Sequence, residues 1–228
     1  MVVFYFNDRI WFFVFTEPMR FCIIPVTSYQ QNCSLLICER SDKAAIVDPG
    51  GDIDRILKTI EREKVSPESI LITHGHLDHI GATAELAALL SIPVIGPHQD
   101  DQFWIDAIHE QCRTFHFPDC DSFTPSHWLS QSDIVKVGEE VLDVFHCPGH
   151  TPGHLVFVHR NTKLAIVGGV LFKGSIGRTD LPKGDFDTLI NSIKNNLWPL
   201  GEQITFISGH GPTSTFGEEM RSNPFVSV

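Results

Sequence analysis

The sequence predicts an α/β fold, and three observations carry that expectation. Short apolar runs rich in β-branched residues recur along the chain, stretches with helical apolar spacing fall between them, and Gly- and Pro-rich turns separate the two. Residues 20–26 and 34–38 read as strands, and Ala44-Ala45-Ile46-Val47 runs into the turn Asp48-Pro49-Gly50-Gly51. Asp52 stands as the N-cap of a helix in which Ile53, Ile56, Leu57 and Ile60 repeat at the spacing of one buried face. After the apolar run Ser69-Ile70-Leu71-Ile72, residues 81–90 are rich in Ala and Leu and predict a second helix beginning just beyond His79. Val94-Ile95 reads as a short buried strand, followed by a helical stretch over residues 100–111. Residues 115–132 are the least regular segment, long enough to flank a pocket, although loop packing is the commoner role of such regions. Strands resume at 134–137, 141–145, 155–158 and 164–167, and Ile204-Thr205-Phe206-Ile207 is a further β-like run. A final helix from Asp185 places Phe186, Leu189, Ile190, Ile193 and Leu197 along one stripe.

Composition bounds the setting. A chain of 228 residues that is 42% hydrophobic can bury one sizeable core. Its formal charge of −11 argues against nucleic acid as a partner, because phosphate binding needs a basic face. The six cysteines form neither Cys-x-x-Cys pairs nor a dense framework, which points to reduced thiols and a cytoplasmic location. In the first eighteen residues, two apolar aromatic runs are broken by Asn7-Asp8-Arg9. Neither run approaches the ~20 residues of a membrane span, and the segment lacks the pattern of a signal peptide. Residues 1–18 therefore read as an N-terminal extension, suited to an added edge strand or an oligomer contact, ahead of a single domain over 19–228.

The chemistry concentrates in Thr73-His74-Gly75-His76-Leu77-Asp78-His79, which follows an apolar run. Imidazole and carboxylate are the usual ligands of zinc and its neighbours. In extended backbone, residues two apart face the same way, so His74 and His76 can grip one ion while Asp78 and His79, beyond the bend, reach a second. His150 lies in Cys147-Pro148-Gly149-His150-Thr151-Pro152-Gly153-His154, and His210 in Ser208-Gly209-His210-Gly211-Pro212. Each follows a strand-like run, where a rigid scaffold hands over to a loop that can present side chains.

This set resembles the metallo-β-lactamase superfamily, whose motif is His-x-His-x-Asp-His followed by distant single ligands. The resemblance implies a four-layer αβ/βα sandwich. It also implies that His74, His76 and His150 hold a first metal and that Asp78, His79 and His210 hold a second, with Asp78 catalytic as well. The segments from Gly168 to Asp180 and from Gly209 to Thr215 are similar to the glyoxalase II branch, and within it to the short, YcbL-like bacterial hydroxyacylglutathione hydrolases. The implied reaction is metal-dependent hydrolysis of S-D-lactoylglutathione or a related small-molecule thioester, with one or two zinc ions, or iron or manganese, as cofactor. Zinc supplies hydroxide near neutral pH, and a thiolate leaves without a strong general acid. Lys173 and Arg178 are candidates to meet the carboxylates of a glutathione-like substrate, although Arg178 can equally pair with Asp180 or brace its loop. His154 lies close enough in sequence to orient His150.

One departure stands out. The family pattern Gly-Asp-x-Leu-Phe is here Gly168-Gly169-Val170-Leu171-Phe172, and the missing aspartate is the residue that bridges the two metals in the family. Loss of a ligand shared by both positions weakens the second site most, because the first keeps three imidazoles, a complete set for catalytic zinc. A natural variant that works with one ion and an engineered or sporadic Asp→Gly change both fit this residue. The leading reading is a glyoxalase II-type hydrolase hampered by Gly169. A mononuclear-iron persulfide dioxygenase and a non-catalytic metal-binding relative are the alternatives.

Overall fold

Strands form where the apolar runs predict them, most of them in two large sheets beside two small two-stranded ones, and the computed structural model describes residues 2–6, 9–13 and 18–227. The first sheet takes Met19–Val26, Gln31–Cys38, Lys43–Val47, Ser66–Leu71 and Val94–Ile95 in chain order. Its first two pairings are antiparallel; its last two are parallel and need helical crossovers. The second sheet has the order Ser214–Thr215, Thr205–Ser208, Leu164–Gly168, Leu155–His159, Glu140–His146 and Ile134–Val137.

Three apolar clusters define four layers. Ile24, Leu35, Ile37, Ile46 and Ile70 on one face of the first sheet meet the helices through Ile56, Leu86, Ile105 and Ile108. Leu36, Ala45, Val47 and Leu71 on its other face pack against Val135, Val144, Phe157 and Ile166 of the second sheet. Beyond that sheet, Val156, Val158, Ala165, Val167 and Phe206 meet Leu189, Ile193, Leu197 and Phe216. Side chains alternate between strand faces, so both sheets are apolar on two sides, which explains their nearly continuous hydrophobic runs. The expected four-layer αβ/βα sandwich is observed.

Several local expectations are corrected. Asp52 occupies the N-cap position of the helix Ile53–Glu63 but does not cap it; its φ is 50°. Its carboxylate instead accepts the Thr27 N–H at 2.8 Å, so a turn contact has taken the capping group. The helix expected just beyond His79 begins earlier and in two pieces: Leu77–Ile80 already contains Asp78 and His79, and Thr83–Leu90 follows. The stretch over 100–111 is broken into Gln102–Asp106 and Ile108–Phe115. The helix Phe186–Ser192 continues as a wider π turn, Ile193–Leu197, which keeps Leu189, Ile193 and Leu197 buried while Phe186 is 48% exposed. It is not the last helix, because Phe216–Ser222 follows, with Thr215 Oγ1 accepting the Glu218 N–H. At the N-terminus, Val2–Phe6 and Arg9–Phe13 pair with each other as a two-stranded sheet of their own rather than as an added edge strand. The rest of residues 1–17 lies outside the described residues. Among the described residues, no helix is long and apolar enough to cross a membrane.

Candidate metal centre

The two sheets meet at one rim. There, Asn32 N–H donates to the Gly209 carbonyl at 2.7 Å, Gly209 N–H to the Gly168 carbonyl at 2.8 Å, and Leu155 N–H to the Thr73 carbonyl at 2.8 Å. These bonds stitch together the loops that follow Ser66–Leu71, Glu140–His146, Leu164–Gly168 and Thr205–Ser208. His74, His76 and His150 come together as a buried trio whose ligand atoms all lie within 4.8 Å of one another. Asp78, His79 and His210 form a second trio under the same limit. All six sequence-predicted metal candidates therefore converge, although 136 positions separate His74 from His210 (210 − 74).

The ring nitrogens are oriented by oxygen partners. Thr73 Oγ1 donates to Asp48 Oδ2 at 2.6 Å and accepts from His74 Nδ1 at 2.9 Å. His79 Nδ1 donates to Asp48 Oδ2 at 2.8 Å. His150 Nδ1 donates to the Arg178 carbonyl at 2.7 Å, and His210 Nδ1 to the Tyr29 carbonyl at 3.2 Å. Carbonyls and carboxylates only accept, so each of these rings carries its proton on Nδ1 and turns the Nε2 lone pair inward, the usual arrangement around a bound metal. The Nε2 atoms of His74 and His76 are buried with no hydrogen-bond partner. Buried polar atoms are rarely left unpaired, and a divalent ion satisfies both at once. His210 Nε2 meets Asp78 Oδ2 at 2.9 Å, where two acceptors face each other and call for a cation between them. The donor set thus fits a divalent metal.

Electrostatics prepare the same groups. Burial, with neighbouring imidazoles, holds His74 and His76 well below the ordinary histidine range, and burial brings His150 down to about 4. All three are neutral at physiological pH. Burial opposes ionisation of Asp78, but the imidazoles of His79 and His210 beside it outweigh that and keep the carboxylate charged. For His79, burial is likewise outweighed, by Asp78 and Asp48, and its pKa is raised.

Sequence reasoning missed the residues that hold this arrangement. Asp48 opens the turn Asp48-Pro49-Gly50-Gly51 directly after a strand, a place that was readable, whereas its positive φ of 52° was not. Asp101 had no local signal. Its buried carboxylate accepts from Gly75 N–H at 2.8 Å, Thr151 Oγ1 at 2.8 Å and Gly153 N–H at 2.6 Å. It therefore joins the loop of His74 and His76 to the loop of His150. Gln111 acts on the same loop, accepting Leu77 N–H at 3.0 Å and donating to the Gly75 carbonyl at 3.2 Å.

Other expectations change. His154 does not orient His150, since their ring centroids are 5.9 Å apart and the Arg178 carbonyl holds that ring. His154 stacks on His74 at 4.5 Å, and its Nε2 accepts the Gly169 N–H at 2.9 Å. The Arg178 guanidinium pairs with both Asp180 oxygens at 2.7 Å, which was one of its expected roles. Lys173 stands 3.4 Å from Glu218 in an exposed pair. Both still line the cavity of about 530 Å³ that opens over the two trios.

Comparison with known proteins agrees with the geometry. A family model described as metallo-beta-lactamase superfamily matches residues 26–210. The chain is 44% identical over 210 residues to hydroxyacylglutathione hydrolase GloC of Haemophilus influenzae, covering 92% of this chain and 99% of that one. The crystal structure of BLEG-1 B3 metallo-beta-lactamase is 37% identical with a TM-score of 0.85, covering 92% of this chain and all of that one. That of TTHA1623 in a di-iron-bound form is 31% identical with a TM-score of 0.83, covering 90% of this chain and 100% of that one. On motif, fold and similarity together, this chain belongs to the metallo-β-lactamase superfamily.

Proposed function

We propose that the chain hydrolyses glutathione thioesters such as S-D-lactoylglutathione, using chiefly one metal ion held by His74, His76 and His150. The observation that carries this reading is the pair of buried, unpartnered Nε2 atoms of His74 and His76 beside His150, on the wall of a substrate-sized cavity. The likeness to a hydroxyacylglutathione hydrolase across nearly the whole of both chains supports the substrate class. Zinc is the favoured metal, and the di-iron-bound relative supports iron as the other choice. When bound, such an ion acidifies a water and polarises a carbonyl.

The chain's own residues do the rest. Asp78 is held ionised on the cavity wall and accepts the proton of the attacking water. His79 and His210 fix that carboxylate, and they form with it a second, weaker cation position. Gly169 contributes no carboxylate to either trio, which slows turnover by this form. Water adds to the acyl carbon, the C–S bond breaks, and the thiolate leaves and takes up a proton, giving a carboxylate and a free thiol. Lys173 and Arg178 lie at the cavity rim, where a glutathione-like substrate meets solvent. Six free thiols fit a reducing compartment such as the cytoplasm.

Thiol release from S-D-lactoylglutathione by the zinc-loaded chain tests the reading, with turnover that a chelator abolishes as the expected result. Silence toward S-D-lactoylglutathione and toward longer S-acylglutathiones at saturating metal overturns it. Oxygen consumption with glutathione persulfide by the iron-loaded chain would put the dioxygenase reading ahead.

A further inference from the structure

We infer that the site takes thioesters whose acyl group is apolar, medium-chain alkyl or aryl, in preference to a short hydroxyacyl group. The inference rests on the thioesterase reading above and concerns which acyl group fits. Around the two trios the cavity is walled by Tyr29, Leu77, Phe115, Phe172, Leu181 and Pro212. Tyr29 and Phe115 are 45% and 39% exposed, and they are held together at the mouth because Tyr29 Oη donates to the Phe115 carbonyl at 3.2 Å. Phe117 stacks on Tyr29 with ring centroids 6.1 Å apart. Aromatic rings fixed at the mouth of a cavity and left open to water are the usual mark of an apolar ligand.

The polar lining side chains outside the trios are already engaged. Gln111 spends its amide on Leu77, Gly75 and Trp104, Arg178 on Asp180, and Lys173 faces Glu218. A lactoyl hydroxyl would have to compete with these contacts, and its three carbons cover little of the aromatic and aliphatic wall. An apolar acyl group covers the rings instead, and each buried methylene is worth roughly a fourfold gain in binding.

The test is a series of S-acylglutathiones with lactoyl, butanoyl, hexanoyl, octanoyl and phenylacetyl groups, assayed with the zinc-loaded chain. We expect kcat/KM to rise by roughly fourfold per methylene until the cavity fills, and Phe115→Ala and Phe172→Ala to flatten that slope. A parallel calorimetric series uses S-alkylglutathione thioethers, which cannot be hydrolysed. Hydrolysis that is fastest for lactoyl, or flat across the series, overturns the inference and leaves the thioesterase reading standing. Affinity that climbs with alkyl length while no thioester is cleaved supports the apolar preference and sinks the thioesterase reading. Affinity independent of length overturns the inference whatever the activity.

Discussion

A β-carbon placed on Gly169 would lie 2.5 Å from Nε2 of His150 and 2.3 Å from its Cδ2. In this chain the His150 imidazole occupies the space that a side chain at position 169 would need, and its Nδ1 is anchored to the Arg178 carbonyl. Gly169→Ala should therefore push the ring aside and cost the first trio about tenfold or more in metal affinity. Gly169→Asp makes the same intrusion but brings a carboxylate. A second equivalent of zinc and faster thioester hydrolysis in Gly169→Asp, with neither in Gly169→Ala, is the expected pattern by metal analysis and kinetics. Equal losses in both would show that no ligand position exists there.

His76→Ala removes one of the two unpartnered Nε2 atoms. Elemental analysis after dialysis should show the tightly held metal gone, with thioester hydrolysis abolished. Retention of a full equivalent contradicts the assignment of the first trio.

Asp101→Asn keeps the shape of the side chain but turns one acceptor into a donor against Gly75, Thr151 or Gly153. One buried N–H or hydroxyl is left unpaired, a loss of about 1–3 kcal/mol. For a chain of this size that lowers Tm by about 2–4 °C per kcal/mol. Because Asp101 joins the loop of His74 and His76 to that of His150, chelator competition should also show weaker metal binding. Metal affinity unchanged beside a lowered Tm would make Asp101 a purely structural tie.

Acid should destabilise the metal-free chain. Burial holds His74, His76 and His154 well below 6.5 and brings His150 down to about 4. Below pH ~6.5 the unfolded chain protonates these imidazoles and the folded chain does not, so stability falls as pH drops toward 4. Burial pushes Asp101 the other way, from 3.8 to about 6, so its contribution is lost as pH rises across that window. His79, raised by Asp78 and Asp48, opposes the trend as Asp101 does, and the four lowered imidazoles outweigh these two groups. Denaturant midpoints between pH 7.5 and 4.5 should decline steadily, and a flat profile would contradict neutral, buried imidazoles.

Much of this protein was legible in the sequence because its signals are local. Continuous apolar runs mark strands buried on two faces, and the spacing of Ile53, Ile56, Leu57 and Ile60 marks a helix packed on a sheet. His74, His76, Asp78 and His79 stand within six residues, and His150 and His210 follow strands whose ends had to meet at one rim. Tertiary structure alone decided the rest, because hydrogen bonds between distant loops leave no trace in spacing. Asp52 lost its capping role to Thr27, and His154 turned to Gly169 and His74 instead of to His150. Asp101 is an unremarkable residue at the start of a helical stretch until folding brings Gly75, Thr151 and Gly153 to its carboxylate. The sequence marked Gly169 only as a departure from the resembled pattern; the packed chain shows that the His150 ring lies where a β-carbon at that position would go.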